Sequence, residues 1–598
     1  MNKKSGSQIV VVIIAIIAVI VVAGIYGTFL SADSTSDVTE YVQLVNEAVT
    51  VDDDTSTKHL EDNYTLYEYD ETDVVCMYLT VRKGNEAENT NHTWEQINKY
   101  SVYDYDDMNV DRYKVEALLQ VGNEYGPLQG ELGYGRTASN ATVQIRGQTS
   151  SRYDQKNYKI KLDENAGLWH DQQTIALNKH RGEGLRFRNM LGYSILEDID
   201  ELMSLRTQLV HLYVKDETSE AGTDAVFEDY GLYTQIEQLN KRAMTAHGLD
   251  KNGQLYKINF FEFFRYEDVI KLVDDPDFDL DEFEDYIEIK GDDDNTKLIE
   301  MLEDLNNMSI DIETVIDKHF DMENIAYWMA FEILTGNIDT QSRNLYIYSP
   351  QNVDTWYLIC WDNDDFFQYY EDQIRGYIEY GGWGRGVSNY WGNVLFQRCL
   401  KSEKFRTELD NAINDLRESA LSEEVLTEKV TKYREIVKPY VYAEPDVTYA
   451  PLTSEQYDEV ADNLPTLVDV YYQNYLETLQ APLPFYIGEP TVSDGKITII
   501  WDISYDFQQQ DITYHLQLAT DPFMQEIIAT YDGEWPTYET ELPELGKTYY
   551  VKVTSEDTDG NVTTAFDYYV DEEDSKYYGV KEFYVGGDGQ VYEYEKEE

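Results

Sequence analysis

A single apolar segment near the amino terminus divides this chain into two very unequal parts. Residues 9–30 read IVVVIIAIIAVIVVAGIYGTFL, and at a helical rise of about 1.5 Å per residue this length spans a hydrocarbon core of about 30 Å. Lys3 and Lys4 precede the segment and acidic residues follow it, so the positive-inside rule places the tail 1–8 in the cytoplasm. A cleaved signal peptide is the alternative, but its apolar region is normally about 7–15 residues and no A-x-A site follows Leu30. The sequence predicts a single-pass membrane protein with an extracellular bulk.

The composition of the chain excludes several function classes. Its formal net charge is −68, from 47 basic and 115 acidic residues, which opposes binding to nucleic acid or to anionic lipid headgroups. The chain is nevertheless 42% hydrophobic and 14% aromatic, which is enough apolar area for a folded core. Three cysteines cannot form a disulfide framework, and the eight histidines show no metal-ligand spacing. Low cysteine use in an exported chain of this size is typical of a Gram-positive bacterium.

Two changes of pattern divide the portion that follows the apolar segment. Residues 31–60 are polar, acidic and rich in Thr and Ser, and they are predicted to form a stalk. Residues 61–480 begin with short alternating strands and turn to helical periodicity after Gly184. Within the helical part, TKLIEMLEDLNNM and MENIAYWMAFEILTG predict amphipathic helices. The pattern predicts an α+β body that is rich in strands first and in helices later.

An all-β module follows the body after a boundary at Pro482. Residues 485–572 contain only strand and turn patterns, with Trp501 in an early strand and Tyr549 after a Leu-Gly-Lys-Thr turn. These positions resemble the core tryptophan and the tyrosine corner of a fibronectin type III β-sandwich. Residues 573–598 are predicted to be an acidic tail.

The strongest signal for chemistry surrounds two neighbouring predicted strands of the body. Asp339 and Asn344 have D-x-x-x-x-N spacing before the strand NLYIY, and the next strand, TWYLICWD, ends at Asp362. Phosphoryl transfer uses such a set, because one carboxylate orients the attacking hydroxyl while an amide and a second carboxylate hold divalent metal ions. The alternative is structural, with Asp339 capping a turn and with Asp362 and Asp364 forming a polar strand end.

Two further motifs favour plain structure. The acidic stretch 274–285 has the aspartate spacing of an EF-hand, but Leu280 stands in place of the required glycine and Tyr286 in place of the bidentate glutamate. It is therefore predicted to be a solvated acidic loop. Residues 133–138, GYGRTA, imitate a dinucleotide fingerprint, yet a strand follows them rather than a helix.

The order of motifs along the body resembles the spore coat protein H (CotH) kinase family. The motifs are IRGQTSS, KNYKIKL, YGLYTQIEQ, GNIDTQSRNLYIY and ICWDNDDFF, and the resemblance extends from Thr65 to Leu479. It implies an atypical protein-kinase-like fold with a strand-rich N-lobe and a helix-rich C-lobe. It also implies binding of ATP with Mg²⁺ or Mn²⁺ and phosphorylation of Ser or Thr in spore proteins.

The resemblance also implies roles for individual residues. Asp339 corresponds to the catalytic aspartate, and Asn344, Asp362 and Asp364 correspond to metal ligands. The cofactor-binding residues that it implies are Arg146, Ser150, Ser151, Lys159, Lys161 and Glu237.

Some of these assignments remain open at the level of sequence. Lys159 and Lys161 lie two apart on a strand and share one face, so one of them is expected to contact the phosphates, but the pattern does not decide which. Glu197 and Glu237 are both candidates for the glutamate partner of that lysine. Gln368 replaces a glycine that often follows the W-D-x-D-x-x-F stretch in the family. A last group is predicted to be structural: Arg186, Arg188 and Asn189.

The sequence thus predicts a membrane-anchored, outward-facing kinase that transfers the γ-phosphate of ATP to Ser or Thr of cell-surface or spore-coat proteins. Its predicted partners are a nucleotide and a protein substrate, without nucleic acid. ATP is scarce outside a cell, so the alternative is a surface or spore-coat assembly protein that keeps the kinase-like fold without turnover. An adhesion or carbohydrate-binding protein would instead use Trp383, Tyr390 and Trp391.

Overall fold

The computed structural model describes residues 60–69, 73–377, 382–571 and 575–594. The predicted cytoplasmic tail, membrane anchor and nearly all of the stalk lie outside these ranges. Within them, no helix combines the length and the apolar character needed to cross a membrane. The predictions of an N-terminal transmembrane helix and of a cell-membrane localisation are therefore corrected, because no described helix supports them. The mixed α+β architecture is observed.

The first half of the body is a β-sheet that closes on itself. Its strands are β1 (Val74–Arg82), β2 (Val115–Asn123), β3 (Gly126–Pro127), β4 (Ala141–Arg146), β5 (Asn157–Leu162), β6 (Thr174–Asn178), β7 (Thr207–Asp216) and β8 (Phe227–Ile236). They run in the order β1-β7-β8-β6-β5-β4-β2-β3, and an additional β1–β2 pairing closes the ring. Only β1 and β7 are parallel among these neighbours.

Alternation along the strands separates the core of the ring from its outer face. In β4, Ala141, Val143 and Ile145 are buried in the core, so the residues between them face outward. Arg146 and Lys159 belong to this outer set, on two strands that pair directly. Two short helices, α1 (Trp94–Lys99) and α2 (Val102–Met108), pack on the ring, and each begins with a capping box.

The second half of the body is mainly helical. A small sheet in the order β10-β9-β11-β12 accompanies the helices and consists of β9 (Gln254–Ile258), β10 (Ile287–Ile289), β11 (Leu345–Ser349) and β12 (Tyr357–Cys360). The helices are α3 (Arg188–Leu196), α4 (Lys241–Ala246), α5 (Leu280–Tyr286), α6 (Thr296–Asn306), α7 (Ile312–His319), α8 (Met322–Thr335), α9 (Tyr369–Arg375), α10 (Val394–Lys401), α11 (Glu403–Glu418), α12 (Glu423–Val441), α13 (Ser454–Asn463) and α14 (Leu467–Gln480).

Helix α8 differs from its predicted amphipathic character. Every residue from Asn324 to Thr335 is buried, because α11, α14 and β12 pack around it. Helix α6 keeps the predicted pattern and buries one stripe, which comprises Leu298, Met301, Leu302 and Leu305. A helix that is apolar on all sides belongs in the centre of a domain, and α8 is the central helix of this body.

The carboxyl-terminal module is a sandwich of two sheets. One sheet has the order β13-β14-β17 and consists of β13 (Thr491–Ser493), β14 (Lys496–Ile500) and β17 (Thr537–Glu541). The other contains β15 (Thr513–Ala519), β16 (Ile527–Gly533), β18 (Lys547–Glu556), β19 (Val562–Thr564), β22 (Val580–Val585) and β23 (Val591–Tyr592), and a hairpin of β20 (Tyr568–Val570) and β21 (Lys576–Tyr578) lies beside it. Trp501 is buried in the sandwich core, and Tyr549 Oη donates to the Glu544 carbonyl at 2.9 Å. The fibronectin type III assignment and the predicted domain boundaries remain predictions.

A buried ionic network joins the start of the described chain to the body. His247 bonds Asp62 through Nδ1 at 2.7 Å and Glu237 through Nε2 at 3.0 Å. Arg206 Nε donates to the same glutamate at 3.0 Å. Burial opposes the charge of His247, but its hydrogen bonds to the two carboxylates raise its pKa from 6.5 to about 9.

This network predicts a loss of stability in mild alkali. Because the folded-state pKa of His247 lies above the unfolded value, its contribution is complete below pH 6.5 and is lost as the pH rises through about 9. We expect the free energy of unfolding to fall by about 3 kcal/mol across this window through His247 alone. Urea unfolding of the protein and of His247→Gln at pH 6 and pH 10 isolates the contribution. An equal pH dependence of both proteins would contradict it.

Candidate active site

A cleft of about 2150 Å³ lies between the outer face of the ring and the loops of the helical half. Ten basic and ten acidic residues line it, whereas the whole chain has 47 basic and 115 acidic residues. The cleft is thus much less acidic than the rest of the molecule. The basic residues of the cleft can attract an anionic ligand, and its acidic residues can hold cations that are bound to that ligand.

The loop that follows α8 carries two of the predicted residues. The helix ends at Gly336, whose φ of 67° lets the chain turn sharply into the cleft. Asp339 Oδ1 accepts from Arg343 Nε at 2.9 Å, and Oδ2 accepts from Asn344 Nδ2 at 3.4 Å. No helix cap involves Asp339, whose carboxylate instead faces the cleft beside Asn344.

The strand pair β11–β12 places Asp362 at the same end of the cleft. Leu345 pairs with Cys360, so Asn344 and Asp362 flank one end of an antiparallel pair. Asn189 of α3 donates to Asp362 Oδ1 at 3.3 Å and thereby orients it. Burial and the charge of Asp364 together raise the pKa of Asp362 to about 7.

Asp364 differs from its neighbour because a histidine side chain lies beside it. His180 Nδ1 lies 3.7 Å from Asp364 Oδ2. Burial opposes ionisation of Asp364, but the interaction with His180 lowers its pKa below the ordinary value. Asp365 lies beside both, and burial and the charge of Asp364 raise its pKa well above the ordinary value. The carboxylates therefore repel one another, and a bound cation would relieve that repulsion.

The donor set fits a hard divalent cation that is shared with a phosphate ligand. Asn344, Asp362 and Asp364 offer only oxygen donors, which Mg²⁺ and Mn²⁺ prefer. Within the described ranges, no group of three or more His, Cys, Asp and Glu side chains is arranged to hold a metal alone. Mg²⁺ commonly binds through one or two carboxylates together with substrate phosphates and water, so the residues fit a metal that arrives with a nucleotide.

The predicted phosphate-binding cations occupy the opposite wall. Lys159 and Arg146 line the cleft, whereas Lys161 does not. Burial and the neighbouring cation Lys290 lower the pKa of Lys159. Arg146 contacts Asn178 and interacts with the charge of Asp362.

The serines of the loop after β4 have different positions. Ser150 lines the cleft, and its hydroxyl accepts from Asn157 Nδ2 at 3.0 Å. Ser151 is fully buried, donates to the Gln148 carbonyl at 2.5 Å and accepts from the Val102 amide at 3.0 Å. Both hydrogen bonds of the Ser151 hydroxyl hold the loop in place, so the structure does not support the predicted contact of Ser151 with the nucleotide.

Neither candidate glutamate partner of the phosphate-binding lysine lies in the cleft. Glu237 is fully buried in the network with His247 and Arg206; burial opposes its ionisation, but those hydrogen bonds lower its pKa to about 2. Glu197 ends α3 and does not line the cleft either. The structure therefore does not support the predicted cofactor-binding role of Glu237, because other cations already engage its carboxylate.

Two of the three polar residues after Gly184 are structural, as the sequence predicts. Arg188 NH1 bonds Glu371 Oε2 at 2.7 Å, and Arg186 NH1 lies 3.3 Å from Asp446 Oδ1. Asn189, which the sequence also predicts to be structural, instead contacts Asp362 at the proposed metal site. No sequence pattern pointed to His180 or Arg343. The fold identifies them, because it places His180 beside Asp364 and Arg343 beside Asp339.

The placement of the two lysines predicts a difference between matched variants. We expect Lys159→Met to weaken ATP binding by about tenfold or more, because a hydrogen bond to a charged group contributes about 1.5–3 kcal/mol. Lys161→Met, on the same strand and outside the cleft, should bind ATP as the unmodified protein does. Calorimetric titration with Mg²⁺ and ATP measures both. Equal weakening by the two substitutions would contradict the assignment.

Comparisons with known proteins agree with the order of motifs. The family model described as "CotH kinase protein" matches residues 143–474, which is more than half of the chain. The search of curated proteins gives no match. Among solved structures, the twitchin kinase region from C. elegans has 17% sequence identity and a TM-score of 0.11, and the match covers 16% of this chain and 19% of that chain. So small an overlap carries no argument about fold.

Proposed function

Because this chain belongs to the CotH kinase family, we propose that it is an atypical protein kinase that transfers the γ-phosphate of ATP to Ser or Thr of a protein acceptor. One observation carries the proposal: Asp339 and Asn344 lie side by side at the end of the cleft where Asp362 and Asp364 also converge. That set matches the division of roles that phosphoryl transfer requires.

The proposed roles follow from the position of each side chain. Asp339 accepts the proton of the acceptor hydroxyl, and Arg343 holds its carboxylate in place. Lys159 and Arg146 bind the phosphates from the opposite wall. Asn344, Asp362 and Asp364 would hold Mg²⁺ or Mn²⁺, which neutralises charge on the phosphates when bound.

A second candidate function is a binding protein that retains the fold without turnover. The ion pair between Arg343 and Asp339 favours it, because this pair engages one carboxylate oxygen of the proposed catalytic residue. Such a protein would bind nucleotide and acceptor but would transfer no phosphate.

Metal-dependent nucleotide binding tests the shared part of both candidates. Calorimetric titration of the full chain with ATP should show binding that depends on Mg²⁺ or Mn²⁺. The Asp362→Asn variant should lose the metal dependence, whereas Asp317→Asn, on the exposed side of α7, should retain it. Absence of nucleotide binding to the folded protein would reject both functions.

A further inference from the structure

The carboxyl-terminal sandwich is joined to the body by side chains as well as by the chain itself. Phe566 precedes the β20–β21 hairpin, yet it is 6% exposed and belongs to the core of the body. The Trp391 and Tyr505 rings lie 5.1 Å apart, and Gln508 Nε2 donates to the Leu479 carbonyl at 2.9 Å. The sandwich is therefore docked on the helical half and is not a loosely tethered module.

Trp383 connects the sandwich to a loop that lines the cleft. Its Nε1 donates to the Phe566 carbonyl at 3.2 Å, and the two rings lie 5.0 Å apart. On the other side, the Val387 amide donates to Thr478 Oγ1 of α14 at 3.0 Å. We call residues 382–389 the acceptor loop, and it is held between the sandwich and α14.

The acceptor loop contacts the segment that carries the proposed catalytic residue. Asn389 Nδ2 donates to the Ile338 carbonyl at 3.0 Å, and Asp339 is the next residue. A continuous path of contacts thus runs from Phe566 of the sandwich through Trp383 and the loop to Asp339. The hairpin also reaches the cleft directly, because Lys576 lines it.

Two of the cations that line the cleft beside the acceptor loop are already engaged by carboxylates, and two remain. Arg343 pairs with Asp339 and Arg375 pairs with Glu371, whereas Arg385 and Lys576 line the cleft without a buried partner carboxylate. Arg385 pairs with Glu477 at 2.9 Å, but both side chains are about half exposed, and surface pairs of this kind exchange partners at little cost. Lys576 is exposed at the start of β21 and lines the cleft, so both Arg385 and Lys576 are open to a carboxylate of an incoming ligand.

We propose that the sandwich forms the acceptor wall of the cleft, that Trp383 positions the acceptor loop against Asp339, and that Lys576 with Arg385 recognises acidic residues beside the phosphorylated Ser or Thr. The inference rests on the proposed kinase function. It assigns to the sandwich a role in substrate choice, with an acidic Ser- or Thr-containing segment as the substrate class.

Two synthetic peptides test the proposal, one with Ser flanked by Glu and one with the same Ser flanked by Lys. Transfer to both is measured with the full chain, and binding is measured by fluorescence anisotropy with Mg²⁺ and a non-hydrolysable ATP analogue. The variants are Trp383→Ala, the conservative Trp383→Phe, and Lys576→Glu. Trp535→Ala is the matched control, because Trp535 is a 75% exposed tryptophan of the same sandwich.

The unmodified protein is expected to prefer the acidic peptide. Trp383→Ala should raise the KM for that peptide by about tenfold to a hundredfold without changing the KM for ATP, and Trp383→Phe should restore most of the loss because it keeps the ring contact. Lys576→Glu should reverse the preference between the peptides. Trp535→Ala should behave as the unmodified protein.

The two readouts separate this inference from the kinase function. Peptide binding with the expected preference but without transfer would support the acceptor wall and reject the kinase. Transfer that Trp383→Ala and Lys576→Glu leave unchanged would support the kinase and overturn the acceptor wall. Failure of the unmodified protein to bind either peptide would also overturn it.

Discussion

Asp339→Asn is expected to reduce the rate of phosphoryl transfer by about 10³-fold while leaving ATP binding nearly unchanged. An amide cannot accept the proton of the attacking hydroxyl, and loss of a positioned general base typically costs 10²–10⁴-fold, so about 10³ is the central expectation. ATP affinity should persist because Lys159 and Arg146 line a different wall of the cleft. Single-turnover transfer from γ-labelled ATP, with calorimetric ATP titration of the same samples, measures both quantities.

The control for this variant is Asp317→Asn, which makes the same chemical change at an exposed position on α7. It should transfer phosphate at the unmodified rate. A rate for Asp339→Asn within a few-fold of that control would remove Asp339 from the mechanism. If Asp339→Asn lost ATP binding as well as transfer, the contacts of Asp339 with Arg343 and Asn344 would have a structural role.

The largest expected effect on stability comes from Glu371→Ala. Glu371 and Arg188 are fully buried, and their NH1–Oε2 distance is 2.7 Å. The same carboxylate accepts from the Gly184 amide at 3.0 Å and from Arg375 NH1 at 3.0 Å. Removal of one partner from a buried pair costs about 3–5 kcal/mol, because the remaining charge loses its compensation.

Chemical denaturation against Asp462→Ala tests this expectation, since Asp462 forms an exposed pair with Arg434. The exposed pair should change the free energy of unfolding by less than about 1 kcal/mol. Similar small changes in both variants would mean that water or another residue satisfies Arg188 without Glu371. The pair joins the start of α3 to α9, so Glu371→Ala should also disturb Asn189 and, through it, Asp362.

Local sequence predicted the meeting of Asn344 and Asp362 for a physical reason. The two residues flank neighbouring strands, and antiparallel pairing of consecutive strands brings the start of one to the end of the next. The division of the body into a strand-rich first part and a helix-rich second part also follows from their different periodicities. These features depend on short stretches of chain, which a sequence pattern records.

Other features depend on contacts between distant segments, which no local pattern records. Lys159 and Lys161 share a strand face, and only the position of the helical half decides which of them lines the cleft. Glu237 is a candidate partner of the phosphate-binding lysine in the sequence, but in the fold its carboxylate bonds His247 and Arg206 instead. Helix α8 contains polar residues at its ends, so its burial on every side depends on the surrounding helices.

Transfer of the γ-phosphate itself tests the proposed kinase activity. The full chain is incubated with γ-labelled ATP and Mn²⁺ or Mg²⁺, with Asp339→Asn and Asp362→Asn as folded controls. We expect metal-dependent label on Ser or Thr of the protein or of an added Ser-rich substrate, and loss of that label in both variants. Label that persists in both variants, or no label from an unmodified protein that binds ATP, would contradict this expectation.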